Sequence, residues 1–321
     1  MNNINLHALK SLSCFTAVTY YSTSHICGYD CFLHEKTISA FYYLSMIAKP
    51  LFFIIIGYID EERKITSQYV FLKIKSIFLI VAFWNILFLF VDSNLFKQGY
   101  LLQNGILLSI AIIYICHPMI KKVLHHLIAT SLAVIFLVVL SVLLHLSTAS
   151  REAFYTIHLS DYYGIFISVA YYLLGRVLGG GWGQWLTKTP GMLWSARVGI
   201  VPAALLLIMY ENVISNDIAG RPLPWYFFEP LIILMLCLLL FVIFDNIIIH
   251  RNFIIKIVTF ISPAMVGVYI IHYSVFYLLA TAYDINNVTL SFTLLVVVFM
   301  ASVIVSRLLL LNKYTSQVIS L

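Results

Sequence analysis

The chain has 321 residues, of which 62% are hydrophobic and 10% charged, with 19 basic against 13 acidic side chains and a mean hydropathy of +0.98. Soluble domains carry about 45–50% apolar and about 25% charged residues, so a fold surrounded by water alone is excluded and the bilayer must act as part of the solvent. The basic excess is for the same reason not a nucleic-acid signal, and no nucleic-acid partner is expected; in a membrane protein Lys and Arg mark the cytoplasmic loops.

Apolar runs long enough to span, about 17–25 residues each, fall near 6–26, 38–58, 77–92, 101–117, 125–147, 162–180, 196–213, 227–247, 258–281 and 288–309. Their continuity argues for helices, because barrel strands are about ten residues long and alternate. The expectation is one all-α, polytopic integral-membrane domain over 1–321, with about ten transmembrane helices and a retained first helix. With the N-terminus in the cytoplasm, the inner ends collect Lys10, Arg63, Lys64, Lys73, Lys75, Lys121, Lys122, Arg176, Lys188, Arg197, Arg251, Lys256, Arg307 and Lys313. The outer loops keep only Lys36, Lys97, Arg151 and Arg221. An even number of crossings puts both termini on the cytoplasmic side.

Polar groups inside these runs are expensive in lipid and are the first candidates for function. The first run carries His7 and Lys10 near one end and Tyr20, Tyr21, Ser24 and His25 near the other. This suits a buried reaction path, and equally a first helix with a basic inner end. Beyond it, Cys27 and Cys31 are spaced so that a short disulfide is allowed, two free thiols being the other reading. In the second run Lys49 precedes Pro50, which opens the helix hydrogen bonding next to a charge; a snorkelling lysine is the alternative. The segment 60–64 (Asp-Glu-Glu-Arg-Lys) reads as a loop, and Lys73 and Lys75 follow it.

The sixth run closes on Leu174-Gly175-Arg176, where Arg176 is a ligand or a topology charge. The ninth holds Gly267-Val268-Tyr269, with His272 three residues on. An imidazole at that depth serves as a base or bonds between helices. The five cysteines form no metal-ligand set, and no metal is expected.

Several of these segments, in this order, resemble motifs of the acyltransferase 3 family of bacterial membrane transferases, in particular its branch that O-acetylates surface polysaccharides. Pro50-Leu51-Phe52-Phe53 with Gly57-Tyr58 is similar to the family's Phe-Phe-x-x-Ser-Gly, and 71–75 to the basic segment after it. Tyr114 and Pro118 sit where the family ends a helix. Leu174-Gly175-Arg176 resembles its Leu-Gly-Arg, and 267–272 its Gly-Ile-Tyr-x-x-His. The departures lie at the family's first-helix Asp, Arg and His, which read His7, Lys10 and Tyr21 here. The second-helix Ser is Ile56, and a His-Leu-Trp is Gln103-Asn104-Gly105.

The resemblance implies a bacterial inner-membrane O-acyltransferase with acyl-CoA, most simply acetyl-CoA, as donor substrate and no bound cofactor. Its acceptor would be a hydroxyl of a surface polysaccharide, such as lipopolysaccharide, or of its lipid-linked precursor. Lys10 would replace Arg as a point charge. Tyr21 occupies the position of the catalytic base, and His25, one turn further on the same face, is the expected base. Lys73, Lys75 and Arg176 would meet the donor phosphates, with Lys49 and His272 as further substrate contacts. Two other readings share this architecture: a non-catalytic relative that binds a glycan or a partner, and a polysaccharide polymerase or exporter. Outer gaps of only about a dozen residues argue against a polymerase.

Overall fold

The computed structural model of the chain describes residues 1, 3–26, 36–63, 65–91, 105–124, 127–149, 160–215, 225–280 and 288–319. Regular structure among them is helical throughout: α1 (Asn3–Ile26), α2 (Lys36–Ser45), α3 (Ala48–Glu62), α4 (Ser67–Val91), α5 (Ile106–Ile115), α6 (His117–Leu124), α7 (Leu127–Ala149) and α8 (Ser160–Gly179). The order continues with α9 (Gly181–Lys188), α10 (Pro190–Ser215), α11 (Trp225–Asn246), α12 (Asn252–Ile261), a 3-10 turn at Ser262–Ala264, α13 (Met265–Ala280), α14 (Val288–Leu311) and the short α15 (Lys313–Ser316). Cys27, Cys31, Gln103 and Asn104 lie outside the described residues.

Among the described residues, five stretches are long and apolar enough to cross a membrane: 40–62, 67–87, 190–210, 252–279 and 292–311. A sixth arises when α8 and α9 are joined across their 76° bend. α5 and the apolar parts of α7 and α11 are shorter, at 106–115, 128–143 and 230–246. Phe71, Phe78, Ile128, Phe136, Val201 and Met209 are all more than half exposed. Large side chains displayed in such number along helices require an apolar solvent; the chain is a membrane protein.

Two compact units divide the chain, Met1–Phe52 with Trp185–Asn312, and Phe53–Gln184 with Lys313–Leu321. In the first, α1 is the buried element and packs against α2, α11, α12, α13 and α14. Leu9, Ser13, Cys14, Val18 and Ser22 are fully buried at helical spacing. So many polar residues in a buried helix are tolerated because the hydroxyls of Ser11, Thr16, Thr19 and Thr23 donate to carbonyls one turn back in α1. Each donor is thereby satisfied without water.

In the second unit, Phe53, Ile54, Ile55, Ile80 and Ile110 form the core, and Trp84 Nε1 donates to the Val318 carbonyl at 2.9 Å. α3 and α8 touch backbone to backbone. A Cβ on Gly57 would collide with the Tyr172 carbonyl, and one on Gly175 with that of Ile54. Small residues at such a crossing are the usual means of close helix approach in membranes.

Three sequence expectations are corrected here. The 38–58 run is interrupted at Met46–Ile47 rather than at Lys49-Pro50, and both of those residues lie in the first turn of α3. Proline is tolerated there because the first-turn N–H groups have no intrahelical partner. The 60–64 segment is not all loop, since Asp60, Glu61 and Glu62 continue α3. The 101–117 run ends as a helix at Ile115, and His117 starts a separate one.

Candidate active site

α1 and α13 run parallel, with the turn before α13 in step. His7 Nδ1 and Ser262 Oγ lie 2.7 Å apart at a sequence separation of 255, and Ser13 Oγ and Tyr269 Oη lie 3.0 Å apart at a separation of 256. Further along, the Tyr21 ring meets those of His272, Tyr273 and Phe276 at centroid distances of 5.3, 4.8 and 5.6 Å. A separation that stays almost constant over several turns means the two helices advance together at 1.5 Å per residue.

Tyr269 clamps this pairing. Its hydroxyl donates to the Ala48 carbonyl at 2.6 Å, which leaves the oxygen to accept from Ser13, and Phe52 packs on its ring at 4.4 Å. One turn on, His272 is 7% exposed, and its Nδ1 lies 2.8 Å from the Val268 carbonyl. A carbonyl can only accept, so Nδ1 carries the hydrogen. In the neutral ring Nε2 is then the basic nitrogen. The Tyr21 and His272 rings meet in a T-shaped contact, their planes 84° apart.

The structure therefore brings together Tyr21 and His272, two of the residues singled out in the sequence. Lys10 is half-buried on α1, eleven residues before Tyr21 and about 16 Å away along the axis. The backbone of His25 belongs to the last turn of α1, and its side chain lies outside the described residues. Lys49 is half-buried in the first turn of α3.

The second unit holds a separate polar cluster around Asp60, which is 2% exposed. Tyr114 and Tyr172 donate to its Oδ2 at 3.0 and 3.1 Å, and Tyr69 donates to Oδ1 at 3.3 Å. Three phenols from α4, α5 and α8 thus satisfy one carboxylate on α3. Beside it, Arg176 Nε donates to Glu61 Oε2 at 2.6 Å, and Lys73 Nζ stands 5.2 Å from the centre of the Tyr69 ring. Lys73 and Arg176 therefore belong to one cluster, while Lys75 is exposed on α4.

Arg176 Nη1 and His117 Nδ1 are buried without a hydrogen-bond partner among the described residues. Burial, reinforced by the Arg176 guanidinium, holds the His117 ring below the usual histidine range. Sequence reasoning gave Tyr69, Tyr172 and His117 no role, read Asp60 as a loop charge, and quoted Tyr114 and Tyr269 only as motif companions. Their one legible signal was polar residues recurring where apolar runs end.

Residues 3–311 match the model of the acyltransferase 3 family, described as an acyltransferase domain. The chain belongs to the acyltransferase 3 family. No curated protein and no solved structure matches it. The acyltransferase 3 match runs from α1 to the end of α14 and so takes in Tyr21, His272, Asp60 and Arg176. Acyltransferase 3 membership carries membrane acyltransferase activity as its general chemistry.

Proposed function

We propose that this chain is an inner-membrane O-acyltransferase, most simply an O-acetyltransferase. It moves an acyl group from acyl-CoA to a hydroxyl of a cell-surface polysaccharide or its lipid-linked precursor. The observation that carries the reading is the Tyr21–His272 contact at 5.3 Å, with Nδ1 of His272 committed to Val268. With Nδ1–H held by that carbonyl, Nε2 is the nitrogen left to take a proton, next to the position where the family keeps its base.

In the proposed reaction the acceptor oxygen attacks the thioester carbonyl while a histidine removes its proton. The tetrahedral intermediate then collapses, and the thiolate of CoA leaves and is protonated. Two histidines stand for that role, His272 and His25, the latter one turn beyond Tyr21 on α1. Lys10, eleven residues before Tyr21 on α1, is the point charge in place of the family's first-helix Arg and acts with that base. Lys73, Lys75 and Arg176 supply positive charge for the donor phosphates, and Lys49 contacts substrate. The single membrane domain crosses ten times with both termini cytoplasmic. The six apolar spans are joined by the three shorter apolar helices and by α1, whose internally bonded hydroxyls suit it to a bundle interior.

The test is mass analysis of surface glycans from cells with and without the gene, followed by His272→Ala, His25→Ala and Tyr21→Phe at matched membrane levels. An acyl-group mass that disappears with the gene and with one of the two histidines supports the reading and names the base. A mass lost with Tyr21→Phe alone makes the phenol a direct participant. No mass difference with the gene under any donor overturns catalysis in favour of a binding role.

A further inference from the structure

α12 is an unusually bare helix. Val258 is its one buried residue, while Phe253 is 73% exposed and Ile254, Ile257 and Phe260 are all at least 40% exposed. These four recur at helical spacing and form one apolar stripe. Lys256, one turn before Phe260, is exposed beside that stripe, and Arg251 is exposed at the helix start. Arg307, near the end of α14, lays its guanidinium over the Phe260 ring with Cζ 5.1 Å from the centroid. Stacking uses the face of the guanidinium and leaves its N–H edge for bidentate bonding.

Arg307 thus stacks on Phe260 with Lys256 one turn away and Arg251 at the start of the same helix, and among the described residues no ion pair engages any of the three. No Asp or Glu occurs between Asp245 and Asp284, and none follows Asp284. The helix 252–279 has 28 residues, about 42 Å, against about 30 Å of hydrocarbon. The excess length carries an end of the span past the hydrocarbon, and Arg251 and Lys256 make the α12 end the one suited to the headgroup layer.

We infer that Arg307, Phe260 and Lys256 form a binding site for the phosphate of an anionic phospholipid, with its acyl chains lying along Phe253 and Ile257. The absence of an ion-pair partner among the described residues and the apolar stripe point to the same molecule, because a phospholipid supplies a phosphate and hydrocarbon at adjoining depths. Arg251 lies within reach of the same headgroup layer and adds to the attraction. The site is independent of the acyl-transfer reading.

To test it, the purified protein is exchanged into phosphatidylcholine nanodiscs containing a minor share of phosphatidylglycerol, and retained lipid is identified by native mass spectrometry. Phosphatidylglycerol should be enriched over its bulk share, and Arg307→Gln and Lys256→Gln should each lower that enrichment about fivefold. Phe260→Leu, which keeps an apolar side chain but removes the ring, should lower it through loss of the stacked guanidinium. Thermal melting of each variant confirms that it is folded. Retention at the bulk ratio, or enrichment that survives the Arg307→Gln/Lys256→Gln double variant, overturns the site. Displacement of the lipid by millimolar inorganic phosphate would also overturn it, by making it a free-phosphate site.

Discussion

Glu61 receives the Arg176 Nε–H at 2.6 Å, and this bond is set where α3 and α8 touch backbone to backbone through Gly57 and Gly175. The close approach brings Glu61, one turn after Gly57, within reach of Arg176, the residue after Gly175. Arg176 side-chain exposure is 10% and that of Glu61 32%, so the pair is neither fully dry nor fully screened.

Replacing Glu61 by Gln should therefore destabilise the protein by about 1.5–3 kcal/mol, the range for a hydrogen bond to a charged group. The lower end is expected because Glu61 is partly solvated. Thermal unfolding in detergent measures it. A variant that melts with the parent would mean the bond contributes nothing net.

Gly57→Ala and Gly175→Ala should each cost far more, since the added methyl meets a backbone carbonyl that cannot swing aside. Both variants are expected to lose folded yield in size-exclusion profiles. Gly191→Ala is the control: nothing lies within 4 Å of its Cβ, so it should express and melt as the parent does.

The Asp60 cage should behave as one unit. Tyr114→Phe and Tyr172→Phe each remove a bond to the same Oδ2 and should cost about 1.5–3 kcal/mol apiece. Asp60→Asn, which turns one acceptor into a donor, should cost more than either. In a double-mutant cycle Asp60→Asn and Tyr172→Phe should be strongly non-additive; additive costs would show that the phenols are held by packing alone.

His117 predicts a pH effect with a definite sign. Its folded-state pKa lies below the ordinary value, chiefly through burial, so below about 6.5 the unfolded chain binds more protons than the folded one. The stability that the neutral ring provides is complete above that pH and is lost as pH falls toward the folded pKa. Melting temperatures between pH 7.5 and 5 should fall more for the parent than for His117→Gln. Parallel curves for the two would remove His117 from the acid-sensitive groups.

Composition and run length were enough to determine that the chain is helical and lives in a membrane, because burying apolar surface and pairing every backbone N–H leave no other solution in lipid. The ordered motifs, from Phe52-Phe53 through Gly175-Arg176 to Tyr269 and His272, likewise carried the family from sequence alone. Tertiary structure decided which polar residues meet. That Tyr21 faces His272 depends on the parallel register of α1 and α13, and no local pattern encodes a separation of about 255 residues. Asp60 read as a loop charge because a carboxylate beside two more charges is normally solvated; only the convergence of Tyr69, Tyr114 and Tyr172 offsets its desolvation and allows α3 to carry it inward.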